Sequence, residues 1–325
     1  MRALALLALA LASLTPANGA RAEAVTAPAV VALGSDGLLV PGRYPVGEQH
    51  DGNSVIVRGP EGLILIDSGR NVGHVGLIAG AIFGLGDDRP VAIINTHWHL
   101  DHVSGNPMLK RTWPQIQVYG TSAIDAALTG FLAESAAASR KALEAGQIPE
   151  TAVAGVKRDL ATIAKGQQLR PDVVVDESRD VLLAGRALSL RVAHRAATER
   201  DLWVFDAAAL RAIVGDLVTL PAPFLDTACP EGWIDALGAV AASGAEKVVP
   251  GHGPVMDRAG FADWRSAFGD FVACARGSAT LESCSASWLD GVARWIEDDK
   301  ERAKAMADYY GELIRSGKLD GYCKA

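Results

Sequence analysis

Apolar positions in the first half of the chain form short runs, separated by glycine- and proline-containing turns and by helical patterns. The first two runs flank residues 59–62 (Gly-Pro-Glu-Gly) and predict a β-hairpin. Helical spacing of apolar residues follows at 72–85 and recurs over the Ala-rich stretch 122–164, with a break at 146–149. The β-type runs lie at residues 54–58, 63–67, 91–95 and 116–119.

The second half returns to short β-type runs before a mostly helical C-terminal segment. Residues 231–242 and 261–313 have helical spacing. Two halves that each combine strands with helices predict an α/β fold, in which two sheets pack face to face with helices outside. We expect one catalytic domain over residues 23–257 and a helical C-terminal extension over residues 258–325. The β-type runs of this half lie at residues 173–175, 188–192, 202–205, 212–214 and 247–249.

Residues 1–22 have the pattern of a secretory signal peptide. A basic start is followed by an almost wholly apolar stretch at 3–14 and by Ala20-Arg21-Ala22, an A-x-A cleavage site. A membrane anchor is the alternative, but this stretch is shorter than the roughly 20 residues that a spanning helix needs. We therefore expect a periplasmic or secreted protein with no membrane span in the mature chain.

The charge and the composition argue against two classes of protein, nucleic-acid-binding proteins and disordered chains. The 325-residue chain has a formal net charge of −7, and 49% of its residues are hydrophobic. Because nucleic-acid affinity depends on clustered lysine and arginine, this balance argues against a nucleic-acid partner. The apolar content is sufficient for a sizeable core and argues against a disordered chain.

The chain has four cysteines, an even number in a compartment that permits disulfides. Four cysteines allow three pairings. Cys274 with Cys284 would close a short loop, and Cys229 with Cys323 would tie the C-terminal tail to the body. Buried thiols are the alternative. We expect at least one disulfide, and the spacing of the cysteines is not that of a metal site.

Three histidines and an aspartate lie within six residues, directly after the apolar run at 91–95. On a turn that leaves a strand end, the alternate side chains of His97 and His99 can converge on one point. Asp101 and His102 can then face a second point beside it. Imidazole and carboxylate groups are ligands that suit zinc, so the motif predicts a metal site.

This motif is part of a longer pattern that resembles the metallo-β-lactamase superfamily. Further glycine, aspartate and histidine motifs follow other β-type runs, and the whole pattern extends over roughly residues 45–255. The resemblance implies a four-layer αββα sandwich with a metal site at one edge of the two sheets. The additional motifs are Leu65-Ile66-Asp67-Ser68-Gly69, Gly215-Asp216 and Gly251-His252-Gly253.

The resemblance also implies two Zn²⁺ ions, with iron or manganese as alternatives at a site bridged by an aspartate. Asp101 would bind a metal and also act as the catalytic residue that orients the attacking water. One further carboxylate would orient the metal-binding loop without binding a metal itself. The implied first-metal ligands are His97 and His99, the second-metal ligands are Asp101, His102 and His252, the bridging ligand is Asp216, and the orienting carboxylate is Asp67.

One segment departs from the family pattern. Members carry the last ligand of the first metal in a His-Thr-x-Gly-Asp motif, but this chain has Ala197 at the histidine and Arg200 at the glycine. His194 lies three residues earlier, just past a β-type run. Because a catalytic zinc generally takes three protein ligands, we expect His194 to supply the missing imidazole. The alternative is an ordinary strand-end histidine and a weakly bound first metal.

Asp216 favours a general hydrolase, because β-lactamases of the superfamily have cysteine or serine at this position. The implied mechanism is attack on a small ester, thioester or related bond by hydroxide that two divalent cations generate from water. A β-lactamase acting on the β-lactam amide is one alternative, and a non-hydrolytic metal-holding accessory protein of a periplasmic redox pathway is another. Residues 48–54 and 216–224 are similar to exported zinc hydrolases associated with quinoprotein dehydrogenase systems and sulfur oxidation.

Three further residues are candidate contacts for a small-molecule substrate. His50 precedes the first hairpin on a loop that could overhang the metals, although a lone histidine is often structural. Trp98 could form a pocket wall or pack beneath the metal-binding loop. Phe224 belongs to an apolar loop just after Asp216 and could line the mouth of the site. The sequence makes no prediction of the oligomeric state.

Overall fold

The computed structural model of the chain describes residues 30–44, 49–86 and 89–324, so the signal peptide expected at 1–22 lies outside the described residues. Within these ranges the strands form two sheets, of seven and six strands. The first sheet follows chain order from β1 to β7, antiparallel up to β4 and parallel from there. Its strands are β1 (Val31–Ala32), β2 (Gly37–Val40), β3 (Ser54–Gly59), β4 (Gly62–Ile66), β5 (Pro90–Ile94), β6 (Gln117–Gly120) and β7 (Val173–Val174).

The second sheet has the order β13-β12-β11-β10-β9-β8. Only β11 and β12 pair in parallel, and the other neighbours are antiparallel. Parallel neighbours need a crossover, which the helix after β11 supplies. The strands of this sheet are β8 (Arg179–Leu183), β9 (Arg186–His194), β10 (Arg200–Asp206), β11 (Arg211–Gly215), β12 (Lys247–Pro250) and β13 (Met256–Asp257).

The α-helices of the described residues fall into three groups along the chain: those that follow the first strands, those that precede β7, and those that cover the second sheet. The last three follow β13 directly and make up the C-terminal helical region. The helices are α1 (Val72–Gly84), α2 (Leu100–Val103), α3 (Asn106–Thr112), α4 (Ala123–Thr129), α5 (Phe131–Glu144), α6 (Glu150–Ala164), α7 (Pro230–Ala242), α8 (Arg258–Arg276), α9 (Leu281–Val292) and α10 (Lys300–Arg315).

The two sheets pack against each other through one shared apolar layer. Alternate residues of β3 and β4 meet alternate residues of β9 and β10 in this layer, as expected when each strand presents every second side chain to the partner sheet. Val57, Ile64, Leu190 and Val204 are among its fully buried members. The inner layer is therefore the core of a sandwich.

Helices cover both outer faces, which confirms the four-layer αββα architecture. Helix α1 packs Val75 and Ile78 on the outer face of β3, β4 and β5. Helices α7 to α10 pack on the outer face of the second sheet, where Trp233, Trp264 and Trp288 are fully buried in one continuous cluster. The C-terminal helices thus share a core with the second sheet. In the described part of the chain, every helix is too short or too polar to cross a bilayer.

Four short strands were not predicted from the sequence: β1, β2, β8 and β13. Strand β8 illustrates one reason. Its residues 179–183 are exposed or half-buried throughout, because it is the edge strand of the second sheet. An edge strand buries little, so its apolar alternation is weak. The strands predicted from the sequence, except the two-residue edge strand β7, are buried on one or both faces, and the predicted bounds agree with the observed ones within a few residues.

The four cysteines form two disulfides, Cys229–Cys323 and Cys274–Cys284. Both pairings are among those considered from the sequence. The first joins residues 94 positions apart and ties the tail after α10 to the start of α7. The second joins residues 10 positions apart and links α8 to α9.

Candidate metal centre

The polar residues singled out in the sequence meet at one edge of the sandwich, where four strands end. Asp67 directly follows β4 and Asp216 directly follows β11. The histidine motif follows β5, and His252 follows β12. Because β4 and β5, and likewise β11 and β12, are parallel neighbours, the carboxyl ends of each pair lie at the same edge. The topology therefore brings residues from 67 to 252 into one cleft.

A short helix completes the arrangement. His99 is the N-cap residue of α2, and Asp101 and His102 lie in its single turn. Turning the chain directly after His99 allows Asp101 and His102 to face the cleft from beside His97 instead of following it along an extended strand. All four side chains of this motif are buried.

The first group of donor atoms comprises His97, His99 and Asp216, with one atom from each within 4.8 Å of the others. Oδ2 of Asp216 lies 3.4 Å from Nε2 of His97 and 3.6 Å from Nδ1 of His99. This group matches the first-metal ligands and the bridging ligand that the sequence implied.

A second cluster lies on the other side of Asp216. Its Oδ1 atom is 3.1 Å from Nε2 of His102 and 3.4 Å from Nε2 of His252. Oδ2 of Asp101 is 3.0 Å from Nε2 of His252, 3.4 Å from Nε2 of His102 and 3.2 Å from Nε2 of His50. The structure therefore adds His50 to the residues predicted at the second site.

These separations fit a divalent metal better than mutual hydrogen bonds. Donor atoms about 2.1 Å from a tetrahedral zinc ion lie about 3.4 Å from one another. Four buried ligand atoms in the cleft lack a hydrogen-bond partner, although other ligand atoms lie within about 3.4 Å of them. These atoms are Nε2 of His97, Oδ2 of Asp101, Nε2 of His102 and Oδ1 of Asp216. This arrangement fits metal ions placed between the ligand atoms.

One carboxylate sets the tautomers of two histidines. Oδ2 of Asp67 lies 2.8 Å from Nδ1 of His102 and also accepts the Thr96 hydroxyl at 2.7 Å. Since that hydroxyl donates to Asp67, its oxygen is free to accept from Nδ1 of His97, 2.9 Å away. Both rings then carry their proton on Nδ1, which leaves Nε2 of each free to bind a metal.

His99 has the opposite tautomer, for a different reason. The hydroxyl of Thr227 donates to the carbonyl oxygen of Ala197 at 2.9 Å and lies 3.1 Å from Nε2 of His99. Because the hydroxyl proton is already used, Thr227 accepts from His99, and Nδ1 of His99 is left free toward Asp216. Ala197, where the family pattern has a ligand, thus contributes through its backbone.

The structure does not bring His194 to the cluster. His194 pairs with Arg200 in the β9–β10 ladder, and the chain turns only after it. Its side chain is exposed to solvent. Among the described residues, His194 belongs to no group of converging donors. We therefore correct the expectation that it supplies the third imidazole of the first site.

The ionisation states reflect a strongly negative cleft. Burial alone would raise the pKa of Asp216, but the imidazoles of His102 and His252 outweigh it and hold the pKa well below its usual range. The same holds for Asp101, where His102 and His50 overcome the effect of burial. Burial would lower the pKa of His102, yet the surrounding carboxylates raise it well above its usual value, so without a metal the ring also holds a proton on Nε2, which a bound cation would displace. A cation would satisfy the same negative charge.

Two glycines allow the loops to approach this closely. A Cβ atom at Gly251 would collide with the carboxylate of Asp216, and one at Gly52 would collide with the ring of His102. Gly251 is therefore the residue that permits β12 to end against Asp216, and Gly52 permits the loop before β3 to lie on His102.

The aromatic candidates divide into one buried residue and one at the mouth. Trp98 is only 2% exposed, donates to Glu199 and packs against Phe131, so it supports the loop from beneath. Phe224 is partly exposed and presents its ring to His99, with 5.1 Å between the ring centroids. Sequence reasoning missed Tyr44, which lies 5.5 Å from His50 and 6.4 Å from His252 between ring centroids.

Threonines 96 and 227 were missed as well. Thr96 could have been suspected, because it adjoins the histidine motif after β5. Nothing in the sequence marks Thr227, which reaches His99 from 128 positions away.

Comparison with known structures supports the fold at low sequence identity. A metallo-beta-lactamase from Pontibacter korlensis superposes with a TM-score of 0.54 and 18% identity, covering 74% of this chain and 99% of that chain. DIM-1 metallo-beta-lactamase superposes with a TM-score of 0.52 and 15% identity, covering 74% of this chain and 96% of that chain. The stereoselective inverting sec-alkylsulfatase Pisa1 from Pseudomonas sp. superposes with a TM-score of 0.54 and 18% identity, covering 72% of this chain and 42% of that chain.

No curated protein matches the chain by sequence. The model of the metallo-beta-lactamase superfamily, however, matches residues 47–252, which include both halves of the sandwich and the donor residues of the cleft. The chain therefore belongs to the metallo-β-lactamase superfamily.

Proposed function

We propose that the protein is an exported hydrolase with two divalent metal ions, which cleaves a small ester, thioester or related bond. The observation that carries this proposal is the position of Asp216 between two groups of donor atoms. One carboxylate oxygen faces His97 and His99, and the other faces His102 and His252. A bridging carboxylate of this kind holds two cations close together and offsets part of their repulsion.

A pair of zinc ions, or of iron or manganese ions, would lower the pKa of water toward neutrality and offset charge that develops on the substrate oxygen. Asp67 and Thr96 would keep His97 and His102 in the tautomers that bind metal. Asp101 stays ionised at neutral pH, because its pKa lies well below the usual range. Its carboxylate would accept a hydrogen bond from the attacking water and so orient it toward the substrate.

The mouth of the cleft suits a small, partly apolar substrate. Phe224 covers His99 on one side, and Tyr44 lies beside His50 and His252 on the other. Tyr44 is 44% exposed, and its hydroxyl, which donates to the carbonyl of Leu220 at 3.5 Å, can accept a hydrogen bond from a substrate. We assign Phe224 and Tyr44 to substrate binding on this basis.

The finer placement of the protein is also a proposal. Residues 48–54 and 216–224 support membership of the exported zinc hydrolases associated with quinoprotein systems and sulfur oxidation. Two disulfides support an oxidising compartment, and we infer a periplasmic or secreted protein that acts on a small molecule. We treat residues 23–257 as the catalytic domain and 258–325 as an extension that completes its core.

Metal analysis combined with a substrate screen tests this proposal. The purified protein should hold two divalent ions per chain and hydrolyse a thioester or ester, with turnover abolished by a chelator and restored by Zn²⁺. Asp216→Ala should weaken binding of both ions, because each site uses this carboxylate, whereas Asp101→Ala should weaken binding of the second ion only. Asp263→Asn, on the exposed surface of α8, is the matched control and should retain both ions and full turnover.

Other outcomes would favour the alternatives. Hydrolysis of a chromogenic cephalosporin without turnover of any ester would identify a β-lactamase. Two bound ions without turnover of a broad panel of esters and thioesters would indicate a metal-holding accessory protein. A chain that binds no divalent ion would contradict the proposal altogether.

A further inference from the structure

His50 lies among the donor atoms of the second site, although the family pattern assigns no ligand to this position. Its Nε2 atom is 3.2 Å from Oδ2 of Asp101, and Nε2 of His252 is 3.0 Å from the same oxygen. One donor atom from each of these three residues lies within 4.8 Å of the others. No hydrogen bond of good geometry reaches Oδ2 of Asp101, although Nε2 of His50 lies at hydrogen-bond distance from it. Both atoms therefore face a common point between them.

The loop that carries His50 is held in place from both sides. Asp51 is buried, and its Oδ1 atom accepts from the backbone N–H groups of Arg70 at 2.7 Å and Asn71 at 2.8 Å. Nδ2 of Asn71 donates to the carbonyl of Gln49 at 2.6 Å. The residues on either side of His50 are thus fixed to the segment before α1, which is a built position and not a chance approach of a surface loop.

The same loop is joined to the two other members of the group. The N–H of Gly52 donates to the carbonyl of Asp101 at 3.1 Å. Nδ2 of Asn53 donates to the carbonyls of Pro250 and Gly253, each at 2.9 Å. Both partners flank His252, so the backbone of residues 52–53 sets the distance from His50 to Asp101 and to His252.

Ring packing fixes the orientation of the imidazole. The His50 ring lies against His252, 5.3 Å away in an edge-on arrangement, and against Tyr44. The guanidinium of Arg302, on α10, lies 3.8 Å from the centroid of the Tyr44 ring. The C-terminal extension therefore supports the histidine through Arg302 and Tyr44, by a cation–π contact followed by a ring contact.

We propose that His50 is a ligand of the second metal through Nε2, whereas the first site, which has Ala197 in place of a histidine, keeps only two imidazoles. This inference rests on the proposed metal centre. The first site then has two imidazoles and the bridging Asp216, and the second has an additional imidazole. Since each protein ligand adds to the affinity of a metal site, the second site binds its ion more tightly than the first.

Replacing His50 would have different consequences if it contacted the substrate than if it bound the metal. A substrate-binding histidine would change KM and leave metal affinity unaltered. A ligand would change the affinity and the coordination of one ion in the absence of any substrate. The test is therefore made on metal binding alone.

The experiment compares the full-length mature protein with His50→Ala and His50→Gln, and uses His194→Ala as the matched control because His194 is exposed outside the cluster. Affinities for Zn²⁺ are measured by competition with a chromophoric chelator, and Co²⁺-loaded protein gives the coordination spectrum. We expect both His50 variants to reduce the Zn²⁺ affinity of the tighter site. Loss of a residue that only hydrogen-bonds to a metal ligand costs roughly 10- to 100-fold in affinity, and loss of a ligand should cost at least as much. The visible Co²⁺ bands should change, and His194→Ala should match the parent.

His50 variants that keep the parent affinity and Co²⁺ spectrum at both sites would overturn the inference. Circular dichroism identifies a variant that fails to fold, and the glutamine variant keeps a polar side chain of similar length as a second measurement. If the parent itself binds no ion, the proposed function fails first and takes this inference with it. That result differs from a parent with two ions that His50 does not influence.

Discussion

Asp67 and His102 are joined by a buried contact of 2.8 Å between Oδ2 and Nδ1, at the end of β4. This contact links a residue that does not face the metal positions to one that does. Asp67 has a φ of 59°, a left-handed conformation that turns its carboxylate back under the metal-binding loop. It is the reason that Nε2 of His102 is free and directed into the cleft.

Replacing Asp67 with asparagine should weaken metal binding without altering the ligands. Asparagine tolerates positive φ, so the backbone is preserved, but its amide cannot supply the negative charge that holds the proton on Nδ1 of His102. We expect about a 10- to 100-fold loss of affinity, measured by chelator competition. Asp180→Asn, at an exposed ion pair with Arg191, is the control. Unchanged affinity in Asp67→Asn would contradict the proposed role.

Thr227→Val should act on the first site alone. Valine has the shape of threonine but removes the hydroxyl that accepts from Nε2 of His99, so the ring loses the bond that fixes its tautomer. Metal titrations should show the weaker of the two sites weakened further, by roughly 10-fold or more, and the tighter site unchanged. Thr227→Ser retains the hydroxyl and should restore the affinity. Equal behaviour of the two variants would exclude a role for the hydroxyl.

Asp201 should make the stability of the metal-free protein depend on pH. Burial raises the pKa of Asp201 to about 7, although hydrogen bonds from Thr198 act in the opposite direction. Between its unfolded pKa of about 4 and pH 7, the folded chain keeps a proton that the unfolded chain releases. The free energy of unfolding therefore falls as the pH rises through this range, by up to about 4 kcal/mol.

The asparagine side chain imitates the protonated acid, so Asp201→Asn should remove this dependence. In urea unfolding, its stability relative to the parent should increase steadily from pH 5 to pH 7 and then level off. Asp263→Asn, an exposed position paired with Arg294, should show no such trend relative to the parent. A difference between Asp201→Asn and the parent that is constant with pH would show that Asp201 is ionised in the folded protein.

The two disulfides should differ in their contribution to stability. A crosslink restricts the unfolded chain more when it closes a longer loop. Loss of Cys229–Cys323, which spans 94 positions, should cost about 5 kcal/mol, and loss of Cys274–Cys284, which spans 10, about 3 kcal/mol. Cys323→Ser with Cys229→Ser and Cys274→Ser with Cys284→Ser can be compared by urea unfolding. A larger loss in the second pair would contradict this ranking.

The sequence predicted the central strands and most of the donor residues, and the reasons are visible in particular elements. Strands β4 and β5 are buried on both faces, so their apolar runs were unmistakable. The histidine motif covers only residues 97–102, so the spacing alone implies that its side chains converge. Edge strands β1 and β8 gave weak patterns, because their side chains are exposed or half-buried and few of them need to be apolar.

His194 and His50 show what spacing along the chain cannot decide. Position relative to Ala197 suggested His194 as the missing ligand, but the β9–β10 ladder holds it on the exposed side of the turn. His50 is nearly 50 positions before the histidine motif, and its place beside Asp101 depends on hydrogen bonds from Gly52 and Asn53 to distant loops.

The amino-acid sequence by itself determined the family, the layered fold and the chemistry of the cleft, because apolar periodicity and short motifs are local properties of the chain. Tertiary structure decided which histidines reach the metals, which threonine sets the tautomer of His99, and how α10 supports the mouth. These depend on the directions of side chains from elements far apart in sequence. Such directions are fixed only when the sheets and helices have packed.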